Sequence, residues 1–370
     1  MKATVGREEL QRKLSDIQNI VEKKNTMPIL SHFLLAASPD GSSITATDLE
    51  TAFREPIELS VGEGGNLCIP ARKLFEIVRE MEDDVALESE DGNWLRVQSG
   101  KSFFRLACLN ADEYPVWPVI DNPEELTLPS SELLDIIERT LYAAGESDTR
   151  YVLNGLLFHF RPEGVLCVVG TDGHRLALIE REAGKFSKMT VQGERKLIIS
   201  RRTAAELRRF LPNDSSAVEM SVGVNHVLFR VKDLSFLARL IEGIYPNYEQ
   251  VIPQSCDKIL TVDRNVLSKS LRRVSVMSRE RSNAVRVDIA ADSMTMAASH
   301  PDMGEAKDEI AVSYGAEPMT IAFNARYILD ALNVMSADNV MLRLNDPLSS
   351  TILTEEGRDD YRCLIMPMRL

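Results

Sequence analysis

Three kinds of feature are missing from this sequence: a membrane span, a secretory signal and a paired-cysteine motif. None of its apolar runs is long enough to cross a bilayer, and residues 1–13 (MKATVGREELQRK) contain no apolar stretch of the signal-peptide type. The five cysteines are widely scattered, and none belongs to a CxxC pair. This spacing argues against a disulfide framework or a zinc site, and it predicts a protein of the reducing cytoplasm.

A complete catalytic motif is also missing. The sequence has no GxSxG or P-loop motif, and its five histidines form no spaced set of ligands. The most site-like stretch is GTDGHRLA (residues 170–177), in which Asp172 and His174 are candidate acid–base or metal-binding groups. Two such residues are too few for a site, so we expect neither a metal nor a cofactor. We interpret TDG as a tight turn in which Gly173 has a positive φ and Asp172 hydrogen-bonds to its own backbone.

Positive charge is in the minority overall but is concentrated in predicted helices. With 43 Lys and Arg against 56 Asp and Glu, the formal net charge of −13 argues against nucleic-acid binding by the whole surface. The net charges of the predicted helices are +1, +1, −2, +3, +4 and 0 for residues 6–24, 71–80, 130–139, 200–211, 263–281 and 324–336. The helices together therefore carry +7, which leaves −20 on the rest of the chain.

The chain does contain an internal repeat. A short apolar strand followed by an amphipathic helix occurs three times, at residues 66–81, 196–211 and 319–335. In each copy the apolar period changes from two to about 3.6 residues, which is typical of a strand that leads into a helix. The copies lie roughly 125 to 130 residues apart, so one architecture is used three times.

Each third of the chain also begins alike, with a short strand and a second amphipathic helix. Ser130 or Ser131 and Asp263 are the predicted N-caps of two of these helices. Alternating strands separated by PDG or PEG turns follow, which is typical of hairpins. The sequence therefore predicts an α+β fold of three similar domains, at residues 1–122, 123–254 and 255–370.

Several motifs resemble the bacterial DNA polymerase III β-subunit family, the sliding clamps. They are PARKLFEI (70–77), YVLNGLLF (151–158), TDGHRLA (171–177), YPNY (245–248), FNARYILDAL (323–332) and MPMRL (366–370). The resemblance covers the whole chain. It implies a non-enzymatic processivity ring, in which two three-domain protomers join head to tail, sheets form the outer rim and helices line a hole for duplex DNA. Positive helices then attract phosphates without reading the base sequence.

The resemblance also implies DNA-contacting residues, to which we add two arginines on charge alone. The implied contacts are Lys24, Arg72, Ser147, Tyr151 and Val152. Ser147 and Val152 depart from the family pattern, in which a Gln and a second Tyr are common, so an amide and an aromatic hydroxyl are lost here. The two added arginines are Arg201 and Arg202, at the start of the matching helix in the second domain.

Partner proteins are expected to bind through short peptides of the Gln-x-x-Leu-Phe type. In this family such peptides come from the polymerase III catalytic subunit, other polymerases, the clamp loader and repair proteins. They occupy a groove between the second and third domains that is mostly apolar with a few polar anchors. The corresponding residues are Leu153, Thr171, Gly173, His174, Arg175, Leu176, Pro246, Val251, Tyr327, Leu348, Ser350, Ile365, Met366, Pro367 and Met368.

The resemblance implies a seam between protomers. Phe104 and Leu106 of the first domain are expected to meet Val276 and Met277 of the third. Opposite charges near these residues favour head-to-tail pairing. The basic residues are Arg96, Lys101 and Arg105, and the acidic ones are Asp302, Glu305, Asp308 and Glu309.

Two other classes of protein remain open on the residues alone. A hydrolase would use Asp172 and His174, and His174→Ala would then remove chemistry rather than peptide binding. A repeat protein that binds peptides but not DNA would show no salt-dependent DNA association. The clamp is favoured because no catalytic constellation is complete and because the resemblance extends over the full length.

Overall fold

The computed structural model describes residues 1–21, 27–191, 193–278 and 282–369. Helices form at all six predicted places, although α1 ends at Ile17 and α5 at Ser275, earlier than predicted. No helix among these residues is long and apolar enough to cross a membrane. The helices are α1 (Arg7–Ile17), α2 (Ala71–Arg79), α3 (Ser130–Leu141), α4 (Arg201–Phe210), α5 (Arg264–Ser275) and α6 (Ala325–Val334).

The strands alternate with these helices in the order that the repeats predict. In the first third they are β1 (Lys2–Val5), β2 (His32–Ala37), β3 (Ser42–Thr47), β4 (Thr51–Ile57), β5 (Ser60–Glu63), β6 (Gly65–Pro70), β7 (Val85–Glu90), β8 (Trp94–Ser99) and β9 (Ser102–Ala107). In the second third they are β10 (Glu124–Pro129), β11 (Gly155–Phe160), β12 (Leu166–Thr171), β13 (Arg175–Arg181), β14 (Lys188–Met189), β15 (Arg195–Ser200), β16 (Ala217–Val222), β17 (His226–Val231) and β18 (Leu234–Arg239). In the last third they are β19 (Lys258–Asp263), β20 (Ala284–Ala290), β21 (Ser293–His300), β22 (Gly304–Ala311), β23 (Ser313–Tyr314), β24 (Met319–Asn324), β25 (Asn339–Leu344), β26 (Thr351–Glu355) and β27 (Arg358–Ile365).

The strands form four antiparallel sheets, two of which combine strands from successive thirds. One nine-stranded sheet has the order β14-β10-β16-β17-β18-β4-β3-β2-β6, and the other has the order β15-β11-β12-β13-β27-β26-β25-β19-β23. The smaller sheets have the orders β5-β1-β7-β8-β9 and β22-β21-β20-β24. The thirds are joined where β18 pairs with β4 and where β13 pairs with β27.

Packing groups the chain into two compact units. Unit 1 comprises residues 1–131, 187–190 and 209–240, and unit 2 comprises residues 132–186, 191–208 and 241–370. Each unit contains one nine-stranded sheet and one smaller sheet. The division falls inside the second third because the strands of that third belong to both nine-stranded sheets.

The helices bury the apolar stripe that their sequence period predicts. In α1, Leu10, Leu14 and Ile17 are fully buried, and the other helices place apolar residues against their sheets at the same spacing. Each such side chain stabilises the fold by about 1.5–3 kcal/mol relative to an exposed one. Packing of this stripe, more than helix propensity, therefore holds these short helices.

One of the two helix caps predicted from sequence is correct and the other is wrong. The Asp263 carboxylate accepts a hydrogen bond from the backbone N–H of Val266 (2.8 Å), as an N-cap should. Ser130 lies inside α3, and its buried hydroxyl has no hydrogen-bond partner. The first amides of that helix instead donate to the carbonyls of Ser216 and Asp214, at 2.8 and 2.9 Å. The first amides of α3 are therefore satisfied by a loop that is close in space but distant in sequence, so the local sequence does not reveal these partners.

Buried charges join α3 to β13 and β27 in unit 2. The side chain of Arg181 is only 4% exposed, and it donates to Glu132 (2.7 Å), Asp135 and Asp360. Burial acts to raise the pKa of Asp135, but hydrogen bonds from Arg139 and Arg358 outweigh it, so this pKa lies below its ordinary value. A buried charge that loses its partner is costly, so these groups depend on one another.

We predict that Arg181→Ala lowers the free energy of unfolding by about 3–5 kcal/mol, because three carboxylates lose a buried counter-charge. Lys185→Ala is the matched control. Lys185 also pairs with Glu132 (3.2 Å), but its side chain is 59% exposed, so its loss should cost about 0–1 kcal/mol. Denaturant unfolding measures both changes, and equal losses for the two variants would contradict the prediction.

Candidate functional site

The TDG stretch forms the predicted tight turn between β12 and β13. Gly173 has φ +85°, and the Asp172 carboxylate accepts hydrogen bonds from the backbone N–H groups of His174 (2.9 Å) and Arg175 (3.0 Å). The Thr171 hydroxyl donates to the carbonyl of Arg175 (2.5 Å) and accepts from the N–H of Gly173 (3.1 Å). These hydrogen bonds hold the turn in one rigid conformation.

Arg175 links this turn to the residues packed behind it. Its guanidinium donates to the carboxylates of Asp172 (3.0 Å) and Asp330 (2.6 Å) and to the carbonyl of Tyr142 (2.7 Å). It also lies 4.6 Å from the centre of the Tyr327 ring. The planar, multidentate guanidinium suits this arrangement, whereas the single ammonium of a lysine does not. Arg175 therefore connects the turn to helix α6.

The C-terminal strand runs along the same turn. In the pairing of β13 with β27, Arg175 lies opposite Ile365, and the N–H of Met366 donates to the carbonyl of His174 (3.0 Å). Met368 then bridges to Ala322 through its N–H (2.8 Å). The apolar end of the chain is thus held by backbone hydrogen bonds beside the turn.

A cavity of about 210 Å³ opens in front of these elements. Its floor is the buried apolar cluster that includes Leu153, Leu176, Tyr245, Tyr248 and Leu364. Polar groups of the turn stand at its edge. An apolar cleft with a few convergent polar groups is the usual form of a ligand site.

Ten of the fifteen residues predicted for the groove line this cavity. They are Leu153, Thr171, Gly173, His174, Arg175, Leu176, Pro246, Val251, Ser350 and Met366. The five others do not line it. Among these, Leu348 is 80% exposed and Ile365 is buried, Tyr327 stacks on Arg175, and Pro367 lies between Met366 and the bridging Met368.

Four further lining residues were missed from sequence: Arg150, Asn247, Tyr248 and Leu364. Tyr248 and Asn247 belong to the YPNY motif, from which the resemblance implies only Pro246. Leu364 could have been predicted from the period-two alternation, which places it with Met366 on one face of the terminal strand. No local signal identifies Arg150, whose guanidinium donates to Asp148 (2.8 Å) and to the carbonyl of Asp172 (3.3 Å). Its hydrogen bonds lower the pKa of Asp148 to about 2.

The chemistry of this site favours binding over catalysis. Both carboxylate oxygens of Asp172 are engaged, one by backbone N–H groups and one by Arg175. The thiol of Cys167, beneath the cavity, has its pKa raised to about 12 by burial. Across the described ranges, no three His, Cys, Asp or Glu side chains are placed to hold a metal ion.

The predicted DNA-contacting residues differ in accessibility. Exposed ones are Arg72, Ser147, Tyr151 and Arg202, and Lys24 lies outside the described residues. Arg201 is half-buried and donates to the carbonyl of Ala144. Val152 is 9% exposed and belongs to the apolar cluster under the cavity. Its side chain therefore offers little surface to a phosphate backbone, and its contact with DNA stays a prediction.

The residues predicted for the protomer seam lie on or beside two sheet edges. Strand β9 ends the five-stranded sheet and β22 ends the four-stranded sheet. Phe104 on β9 is 40% exposed, and Val276, which follows α5, is 77% exposed. Met277 is half-buried and lies against the start of β22. Leu106 is 8% exposed within the single chain, and its contact with a partner protomer stays a prediction.

Family models match almost the whole chain. The DNA polymerase III beta subunit models match with the N-terminal domain at residues 1–118, the central domain at 127–247 and the C-terminal domain at 249–369. The fold is thus a three-domain clamp fold of mixed helices and sheets. The chain belongs to the DNA polymerase III beta subunit family.

Relatives of known name agree over their full length. The chain is 35% identical to the beta sliding clamp of Pseudomonas putida and 32% identical to that of Escherichia coli, with 100% of both chains covered in each case. The crystal structure of the Pseudomonas aeruginosa DNA polymerase III subunit beta matches with a TM-score of 0.93 at 32% identity, covering 100% of both chains. The C. crescentus beta sliding clamp matches with a TM-score of 0.94 at 34% identity, covering 100% of this chain and 99% of that one.

We predict that Gly173→Ala lowers the free energy of unfolding by about 1–2 kcal/mol, because φ +85° is unfavourable for alanine. An added Cβ would also lie 2.6 Å from Arg150 Nη2 and displace that guanidinium from the rim. Gly184→Ala is the control, since its added Cβ meets no atom within 4 Å. Denaturant unfolding compares them, and an unaffected Gly173→Ala protein would show that the turn is not rigid.

Proposed function

We propose that this chain is the non-catalytic processivity clamp of a bacterial replicative DNA polymerase. Two copies, each with domains at residues 1–122, 123–254 and 255–370, join head to tail into a ring around duplex DNA in the cytoplasm. Partner proteins dock through short peptides in the cavity beside the TDG turn. The observation that carries the proposal is the pairing order of the repeated strands.

In the second and last thirds, the final strand pairs with the fourth strand of the preceding third. Strand β18 of the second third pairs with β4 of the first, and β27 of the last third pairs with β13 of the second. By position in the repeat, β9 corresponds to β18 and β27, while β22 corresponds to β4 and β13. Among the strands that the structure describes, β9 and β22 lack this neighbour. A second copy supplies one to each, and two identical interfaces close a ring.

Strands β9 and β22 have the properties of an interface between two copies of the chain, which we call the joint. Phe103 and Phe104 on β9 are 64% and 40% exposed, and Met303, before β22, is 70% exposed. An unpaired strand edge with exposed apolar side chains is an association site. The exposed carboxylates of Glu305 and Glu309 on β22 complement the basic residues near β9.

The helices provide the surface for DNA. With their observed ends, α1 to α6 carry net charges of 0, +2, −2, +3, +4 and 0, which again total +7. Exposed basic residues lie along α2, α4 and α5, among them Arg72, Arg202, Lys269 and Arg272. Attraction to phosphates alone is independent of base sequence and weak at high salt. Such a surface allows sliding, while ring closure prevents loss.

The cavity supplies the docking function. Its floor is apolar, and backbone and side-chain groups of the turn stand at its edge. Leu348 and Met366, 80% and 45% exposed, extend the apolar surface toward solvent. We expect peptides of the Gln-x-x-Leu-Phe type from polymerases, the clamp loader and repair proteins to bury their apolar side chains here. A hydrolase is disfavoured because the turn and Arg175 use both oxygens of Asp172.

The first experiment tests retention by topology. The protein is loaded by its ATP-driven loader onto nicked circular DNA and filtered in high salt, before and after the circle is linearised. We expect retention on the circle and loss from the linear form, because high salt removes phosphate attraction but not encirclement. Equal behaviour on both forms would contradict the ring.

The second experiment tests the joint. We expect Arg96→Glu with Arg105→Glu to give monomers in sedimentation, because like charges would then face each other. Adding Glu305→Arg and Glu309→Arg to the same chain should restore the dimer. The control is Arg230→Glu with Lys232→Glu, two exposed basic residues on and after β17. A dimer that survives the first pair would rule out this joint.

The third experiment tests the cavity with a labelled pentapeptide, Gln-Leu-Ser-Leu-Phe. We expect Val251→Asp to weaken binding at least tenfold, about 1.4 kcal/mol, by placing a carboxylate against the apolar side chains of the peptide. Ile259→Asp is the control, since Ile259 is 44% exposed against 45% for Val251 but does not line the cavity. Fluorescence polarisation measures both, and equal affinities would exclude this site.

A further inference from the structure

The exposed large apolar residues include a group for which no occupant has been proposed. Phe103, Phe104, Val276 and Met303 belong to the proposed joint, Val251 and Met366 line the cavity in unit 2, and Leu348 belongs to the docking surface proposed beside it. In unit 1, however, Leu49, Val116 and Val119 are 48%, 89% and 82% exposed. Clustered exposed apolar side chains mark interaction sites more often than single ones do.

Leu49 lies in a turn that repeats the TDG turn of unit 2, and Val116 lines a cavity beside that turn. Thr47 and Asp48 stand where Thr171 and Asp172 stand. The Thr47 hydroxyl donates to the carbonyl of Thr51 (2.9 Å) and accepts from the N–H of Leu49 (3.0 Å). The Asp48 carboxylate accepts from the N–H groups of Glu50 (3.1 Å) and Thr51 (2.7 Å). Leu49 has φ +74°, in the left-handed region that Gly173 also occupies.

The aromatic segment that follows is repeated as well. The Tyr114 hydroxyl donates to the carbonyl of Thr45, two residues before Thr47, at 3.1 Å. The Tyr245 hydroxyl donates to the carbonyl of Val169, two residues before Thr171, at 3.4 Å. Tyr-Pro begins both segments, and Trp117 then takes the position of Tyr248. Unit 1 therefore has the framework of the cavity in unit 2.

A smaller cavity, of about 50 Å³, lies within this framework. Ala52 and Leu237 are buried in its wall, and Trp117 packs against the same apolar cluster. The Arg54 guanidinium lies 4.5 Å from the centre of the Trp117 ring and holds that side chain in place. The cavity therefore has room for a small aliphatic side chain, but not for the two large apolar side chains of a Leu-Phe pair.

The charge at the rim is reversed relative to unit 2. Glu50 takes the position of His174, and Thr51 takes that of Arg175. Glu50 is the one carboxylate that lines this cavity among the described residues. Its ion pair with Arg239 (3.2 Å) is solvent-exposed on both sides and is therefore weak. Burial lowers the pKa of His226, which also lines the cavity, and so favours its uncharged imidazole.

We propose that the Thr47–Thr51 turn, Trp117 and Leu237 form a second peptide pocket, which binds a small aliphatic side chain flanked by a lysine or arginine that pairs with Glu50. The apolar wall takes the aliphatic group, and the carboxylate of Glu50 selects the basic neighbour. Its ligand class thus differs from that of the cavity in unit 2, and the inference stands independently of what that cavity binds.

Fluorescence of Trp117 gives the readout. The chain has two tryptophans, so Trp94→Phe leaves Trp117 as the only indole. The probe is the capped pentapeptide Gly-Lys-Val-Lys-Gly, with Gly-Glu-Val-Glu-Gly as its charge-reversed partner. We expect saturable binding of the lysine peptide at millimolar concentration, with methyl NMR shifts at Leu49 and Val116, which line the cavity.

Glu50→Lys tests the charge selection without disturbing the core, since Glu50 is 62% exposed. It should weaken the lysine peptide at least fivefold and favour the glutamate peptide. Glu219→Lys, on β16 of the same sheet, is the matched control and should leave both affinities unchanged. The proposal fails if the lysine peptide does not bind, if Glu50→Lys has no more effect than the control, or if the NMR shifts fall on Met366 and Leu348.

Discussion

Antiparallel pairing between strands of successive thirds determines how the sheets, the cavity and the exposed strand edges of this protein are arranged. Where β18 meets β4 and β13 meets β27, backbone hydrogen bonds join two repeats into one nine-stranded sheet. In the sheets that the structure describes, the corresponding strands β9 and β22 have no such neighbour. Exposed strand edges are prone to pair with another chain, so the same pairing that builds the sheets also supports the proposed joint between two copies.

The pairing of β13 with β27 also creates the cavity in unit 2. It places Met366 against the carbonyl of His174 and the apolar end of the chain beside a rigid turn. Buried ion pairs of Arg181 and Arg139 with carboxylates of α3, β26 and β27 hold these elements in one arrangement. A buried charge that lost its partner here would be left uncompensated, so these pairs tie α3 to strands β13 and β27.

Comparison of the two turns shows how one framework gives two kinds of surface. The hydrogen bonds of Thr47 and Asp48 match those of Thr171 and Asp172 nearly one for one. What differs is the side chains that the turn presents, with Glu50 in the position of His174 and Trp117 in the position of Tyr248. Backbone geometry is thus shared among repeats, whereas volume and charge are set by a few substituted residues.

Local features could be predicted from the residues alone: six helices from their apolar period, the repeat, the cap at Asp263 and the turn around Gly173. Each depends on residues within a few positions of one another, so period and residue type are sufficient. Tertiary structure alone decided that Val152 and Leu106 are buried, that the first amides of α3 bond to a distant loop, and that Arg150 reaches the cavity. At these positions, accessibility and hydrogen-bond partners depend on which strands become neighbours. That pairing is determined by side chains that are far apart in sequence.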